Sequence, residues 1–308
     1  MPFMGYRKLI INSFIILDAN LNIMIKKNYA ILFLPFLLLI SCAGPFGNKA
    51  QEENQSEPEE EIVEVNITGE EITYSSDTTD MNGFIAYNKA QTGKRPGVLV
   101  VHEWWGHNDY TRKRAQMLAE LGYVALAVDM YGDGKQAEHP SDAGKFSGMV
   151  MKNEEMAVKR FNSAYEILAN HPEVDSNKIS AIGYCFGGSV ILNMANMGAD
   201  LDGVAAFHSG VQVPNQPSEK LEAKVLVQNG ADDPFVSKES VSSFKSAMDS
   251  LNADYEYIAY PGVVHAYTNP GATELGEKFD LPLKYDQEAD TKSWEKLQEF
   301  LKGLYPNE

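Results

Sequence analysis

Lys178-Ile179-Ser180-Ala181-Ile182-Gly183-Tyr184-Cys185-Phe186-Gly187-Gly188 runs from a short apolar stretch, through a turn, into the start of a helix expected over 186–197. A side chain presented on so sharp a turn sits on strained backbone. Glycines two positions away on either side keep their absent side chains from colliding there. The spacing is that of the strand–turn–helix nucleophile elbow G-x-S-x-G, with cysteine in place of serine. A helix N-terminus also favours thiolate over thiol. The competing reading is a structural cysteine buried at a strand end, and residues further along the chain tell against it.

Working outward, strands are expected at 97–102 (Gly-Val-Leu-Val-Val-His), 123–128, 204–207, 224–228 and 255–259, and helices over 109–121, 152–169, 238–250 and 286–303. In the 109–121 helix Met117, Leu118 and Leu121 share one face. Upstream, Glu61–Ile67 and Glu71–Tyr74 alternate polar and apolar residues, so two or three short antiparallel strands are expected through Tyr87. Segment 132–151 is polar, contains glycine and has weak periodicity, which suggests a loop or lid. Strands alternating with helices define an α/β class: one mostly parallel sheet with helices on both faces, in a single domain over 62–308. Ligands in such folds bind outside the carboxyl ends of the strands.

The chain order nucleophile, acid, histidine is met downstream of Cys185. Gly230-Ala231-Asp232-Asp233-Pro234 follows a strand, and an acid there can orient a histidine and stabilise its imidazolium. Asp233 is preferred and Asp232 is the alternative; either residue could instead be a turn or N-cap aspartate. His265, after the last strand, is the one histidine beyond both the cysteine and the acid, and it stands where a general base belongs. The loop His102-Glu103-Trp104-Trp105-Gly106 should supply one oxyanion-binding N–H, from Trp104, and the residue after the nucleophile, Phe186, the second. His102, Glu103 and His107 are spaced HExxxH rather than HExxH, and Gly106 interrupts any helix, so no metal site is expected. Trp105, Tyr184 and Tyr267, with Trp104 and Phe186, are candidate pocket residues; ordinary core is the competing reading.

The N-terminus reads as targeting. Lys26 and Lys27 precede the apolar run 28–40, which is short for a membrane span, and Ser41-Cys42-Ala43-Gly44 follows it. Leu39-Ile40-Ser41-Cys42 resembles a bacterial lipobox. Residues 1–41 are therefore expected to be a signal segment, with translation starting at Met24 and Cys42 lipidated. Residues 42–61 are an acidic tether. The expected location is the bacterial cell envelope, with the chain anchored to membrane through Cys42 and facing the periplasm or the cell surface.

Across 308 residues the formal charge is −17, and 44% of residues are hydrophobic. A core can form, and binding of nucleic acid through a basic face is disfavoured. The two cysteines each have a local explanation, so no disulfide is expected, and no CxxC pair suggests zinc or redox chemistry. No cofactor is expected.

The combination of HEWWGHN at 102–108, Asp129-Met130-Tyr131, GYCFGG at 183–188, GADDPFV at 230–236 and the His265 loop resembles the dienelactone hydrolase family, over roughly residues 80–305. The resemblance implies an α/β-hydrolase fold, a Cys185–His265–Asp233 triad, and a role for Glu103 in governing cysteine ionisation. The competing role for Glu103 is a buried acid that only holds its loop. The substrate implied is a small ester or lactone. One departure is visible. The family's lactone-cleaving members hold a substrate carboxylate with arginine, and four residues past the histidine this chain has Asn269. Arg112 and Arg114 are expected to be solvated. Other classes remain in view: a ligand-binding surface lipoprotein, marked by an unreactive Cys185, and an acyltransferase or peptidase, marked by transfer to added alcohol or amine.

Overall fold

Val98–Val101 and Val124–Val128 are continuous apolar runs with every side chain buried, as strands covered on both faces require. In the computed structural model, which describes residues 65–306, they belong to one eight-stranded sheet. The signal segment, the Met24 start, the lipidated Cys42 and the tether lie outside the described residues. Strands β1 (Ile67–Ser76) and β2 (Thr79–Asn88) form an antiparallel hairpin at one edge. They are followed by β3 (Arg95–Val101), α1 (Asp109–Glu120), β4 (Val124–Val128), α2 (Pro140–Met151), α3 (Glu154–Ala169), β5 (Val174–Tyr184) and α4 (Phe186–Asn196). The chain closes with β6 (Gly203–Phe207), β7 (Lys224–Gly230), α5 (Lys238–Ser250), β8 (Tyr255–Tyr260), α6 (Ala272–Phe279) and α7 (Gln287–Leu304). The spatial order is β1-β2-β4-β3-β5-β6-β7-β8, and β2 meets β4 antiparallel while all later pairings are parallel.

Strand alternation sends Leu99, Val101 and Ala181 to the face covered by α3, α4 and α5, and Val98, Val100, Ile182 and Tyr184 to the face covered by α1 and α7. Each fully buried valine or leucine contributes about 1.5–3 kcal/mol against exposure, which makes these two layers the main support of the sheet. Val101 pairs with both Val128 and Gly183, and Tyr184 with Phe207, so the carboxyl ends of β3, β4, β5 and β6 align. The loops leaving that edge converge.

Two expectations are corrected, one helix is added, and one stretch lies mostly outside the described residues. Residues 140–151 form α2, not an irregular loop; only Ala143 and Val150 are buried on it, too few apolar positions to set a period. Helix α6 was not anticipated, being only eight residues long. Of the alternating stretch at 61–67, Val65 and Asn66 precede the strand that starts at Ile67, and residues 61–64 lie outside the described region. The buried face of α1 is Thr111, Arg114, Ala115, Leu118 and Ala119, whereas Leu121 is exposed.

Candidate active site

The chain turns from β5 into α4 at Cys185, whose backbone is at φ 53°, ψ −114°. A non-glycine residue with positive φ stores strain that the surrounding structure must hold in place. A methyl group added at Gly183 would lie 2.4 Å from the Gly187 carbonyl carbon, and one at Gly187 would lie 2.3 Å from the Val101 oxygen. Both glycines are therefore required for the elbow to close against the neighbouring strand. The Cys185 N–H donates to the Phe207 carbonyl at 2.9 Å, fixing the turn, and the thiol is half-buried and unbridged.

His265 follows β8. Its carbonyl accepts from the Lys284 N–H at 3.2 Å, and it bridges Leu283 in parallel, so the loop is braced by the segment leading into α7. His265 Nδ1 lies 2.7 Å from Asp233 Oδ2. The other Asp233 oxygen accepts from the Phe235 N–H at 2.9 Å, and the Asp233 side chain is wholly buried. Asp232, the alternative acid, is exposed. Burial alone would lower the pKa of His265. Negative charge on Cys185, hydrogen bonds to Asp233 and Cys185, and the Asp233 charge outweigh it and push the ring up to about 10.

The Trp loop is tied down from below. His102 is buried; its Nε2 accepts from the Met130 N–H at 3.2 Å, so Nδ1 carries the proton and donates to the Glu103 carbonyl. Asp129 accepts backbone N–H bonds from Asn82, Tyr131, Gly132 and Gly134 at 2.8–3.2 Å. That turn aims Tyr131, whose hydroxyl donates to the Trp104 carbonyl at 2.9 Å. Glu103 is buried, and its Oε2 accepts from Asn269 Nδ2 at 2.6 Å. Burial pushes the Glu103 carboxyl up to about 7, against the lowering influence of Asn269, His265 and Arg114. Trp104 and Phe186 both line this edge, and among the described residues neither backbone N–H donates to a loop carbonyl.

A cavity of about 240 Å³ opens above the thiol, lined by Trp104, Cys185, Phe186, Ser189, Gly210, Phe235, His265 and Leu283. Three expected pocket residues are elsewhere. Tyr184 immediately precedes Cys185 on the strand, so it faces the other layer and stacks on Phe207. Tyr267 is fully buried, donating to the Gln228 carbonyl at 3.0 Å. Trp105 is buried against Phe279 behind Trp104. Ser189, Gly210, Phe235 and Leu283 were missed. Phe235 carried a signal, since it lies within the quoted GADDPFV stretch, and as a Phe 54% exposed it stands at the cavity rim. Arg114 is also corrected: it is buried, pairing with Asp290 at 2.6 Å and donating to the Thr268 carbonyl at 2.6 Å.

The model of the dienelactone hydrolase family matches residues 81–305. The chain belongs to that family. As a dienelactone hydrolase-family member it is a hydrolase of the carboxylic ester class. A solved structure of a dienelactone hydrolase-like promiscuous phosphotriesterase from metagenomic libraries is 31% identical, covering 77% of this chain and 98% of its own, with a TM-score of 0.71. A second, m3DLH, is 31% identical with the same coverage and a TM-score of 0.73. A protein of Saccharolobus solfataricus provisionally named a carboxymethylenebutenolidase is 25% identical, over 76% of this chain and 98% of its own length. Protein usf of Aquifex pyrophilus is 27% identical, over 65% and 87%.

Proposed function

We propose that this chain hydrolyses a small ester or lactone through Cys185, His265 and Asp233. The observation that carries the reading is the 2.7 Å contact between His265 Nδ1 and the buried Asp233 carboxylate, with Cys185 on a positive-φ elbow at the floor of the same cavity. Asp233 holds the ring so that Nε2 is left for the thiol and stabilises it once protonated. The Cys185 sulfur attacks the carbonyl carbon while His265 holds the thiol proton. The carbonyl electron pair moves onto oxygen, which the N–H groups of Trp104 and Phe186 receive. Losing one such donor typically slows a reaction about 10²–10³-fold. Collapse expels the alkoxide or enolate, which takes the proton from His265. Water, deprotonated by the same ring, then cleaves the thioester to release the acid and regenerate the thiol. A carboxylate at Glu103 opposes further negative charge nearby, so its protonation near neutral pH is a control on the first step.

The test is hydrolysis of dienelactone and short 4-nitrophenyl esters by the native chain and by Cys185→Ala. Turnover of at least one ester by the native chain, falling to background in the variant, is expected. Equal inactivity of two folded proteins across the panel would defeat the reading. Lipidation at Cys42 and an envelope location belong to the same proposal. Incorporation of a labelled fatty acid that disappears in Cys42→Ala is the expected result, and no incorporation would remove them.

A further inference from the structure

The cavity above Cys185 has a definite chemical character. Its lining consists of Trp104, Phe186, Phe235 and Leu283 as apolar walls, with Ser189, Gly210 and the two catalytic candidates. None of the lining residues is lysine or arginine. The Ser189 hydroxyl donates to the Gly210 carbonyl at 2.9 Å and is thus already engaged. The one lining side chain that becomes cationic on taking a proton, His265, already faces the Asp233 carboxylate. Among the described residues, three arginines are committed elsewhere: Arg114 to Asp290 and the Thr268 carbonyl, Arg160 to the Met130 carbonyl, and Arg112 to Glu71 and Asp109. Asn269 is bonded to the Glu103 carboxyl. The buried Glu103 carboxyl next to the lining residue Trp104 thus has a neutral amide as its hydrogen-bond partner, and the chain as a whole carries −17.

A carboxylate entering such a cavity would lose its hydration with no cation to receive it other than the His265 ring, which Asp233 already pairs, beside the buried acid Glu103. An uncharged chain or ring would only exchange water for aromatic and aliphatic walls, which is favourable. The cavity is also smaller than the roughly 300–1,000 Å³ of sites for drug-sized molecules. From this we infer that the substrate is an ester or lactone whose acyl part is small, apolar and uncharged, selected by Trp104, Phe186, Phe235 and Leu283. The inference rests on Cys185 being the nucleophile.

The experiment pairs 4-nitrophenyl hexanoate with 4-nitrophenyl hydrogen adipate, which share a six-carbon acyl chain and leaving group but differ in ending in methyl or carboxylate. Each kcat/KM is divided by the uncatalysed rate at the same pH. The native chain should favour the hexanoate by about 10²-fold. Phe235→Arg places a cation at the exposed rim, and Phe235→Leu controls for loss of the ring. The arginine variant should narrow the ratio at least about tenfold relative to the leucine variant. A native ratio within about threefold, or a preference for the adipate, would overturn the inference while leaving hydrolysis by Cys185 intact. A native preference unchanged by Phe235→Arg would overturn the assignment of the discriminating walls. Acylation of Cys185 is read in parallel as a mass increase on the intact chain. Its absence with both esters would bring down the nucleophile assignment, and the inference with it.

Discussion

Asn269 donates from Nδ2 to Glu103 Oε2 at 2.6 Å, joining two buried side chains 166 residues apart. The Gly271 N–H donates to Asn269 Oδ1 at 2.9 Å, so the amide is oriented with its NH₂ toward the carboxylate. The bond couples the loop that carries Trp104 to the loop that carries His265. It is also a bond to the charged form of Glu103, and it offsets part of the burial that pushes this carboxyl up to about 7.

Asn269→Leu should raise the Glu103 pKa further, because a donor to the carboxylate is lost while burial is retained. A hydrogen bond to a buried charge contributes about 1.5–3 kcal/mol, so the Glu103-dependent limb of kcat/KM against pH should move upward by about one to two units. Asn269→Gln, which keeps an amide, should recover part of the shift. A superimposable pH profile would show that the bond shapes the loops without setting the ionisation of Glu103.

Glu103→Gln should stabilise the chain at high pH and leave it nearly unchanged at low pH. The folded-state value of about 7 exceeds the ordinary 4.5. The folded state therefore holds the proton more tightly, and the stability this contributes is complete below pH 4.5 and is lost as pH rises through 7. The difference corresponds to about 3 kcal/mol once Glu103 is ionised. Urea midpoints at pH 5 and pH 8 would measure it. A variant no more stable at pH 8 would contradict the raised pKa.

What could be read from the sequence was what depends on local spacing. The elbow, the acid after β7 and the histidine after β8 are positions counted along the chain, and the geometry assembles those residues. What was not legible depends on partners remote in sequence. Arg114 is on the buried face of α1 because Asp290, on α7, meets it there. Tyr184 was misplaced through proximity to Cys185, although alternation along β5 already sends neighbours to opposite faces. Leu283 reaches the cavity from a segment with no motif of its own, through its bridge to His265. The role of Asp129 as a hub for four backbone donors was equally hidden, since three of them lie in the turn it closes and the fourth is on β2.

Asp129→Ala should be among the most destabilising single changes away from the candidate triad. It removes the acceptor of the N–H groups of Asn82, Tyr131, Gly132 and Gly134. Leaving buried donors without acceptors costs about 1–3 kcal/mol each when no water reaches them, so a total loss of about 3 kcal/mol or more is expected. Asp129→Asn, which retains one acceptor oxygen, should lose less. Equal urea midpoints for native and alanine chains would refute the hub.

Tyr131→Phe tests the support given to the Trp loop. Burial pushes the Tyr131 phenol above its ordinary value, so it is a neutral donor at every working pH, and its hydroxyl donates to the Trp104 carbonyl at 2.9 Å. Phenylalanine keeps the ring contacts with His102, Phe146 and Phe186 and removes that bond together with the hydroxyl's contact with Ser147. The Trp104–Trp105 peptide is then free to shift, and through the Trp104 Cα it displaces the adjoining Glu103–Trp104 peptide, whose N–H is proposed to receive the oxyanion. An interaction that strengthens only as negative charge develops on the carbonyl oxygen affects kcat rather than ground-state binding. The expected result is a fall in kcat of about tenfold with KM changed less than about twofold, since one displaced donor weakens a contact without abolishing it. A rise in KM at constant kcat would assign Tyr131 to shaping the cavity, and would separate the Trp104 amide from the chemistry.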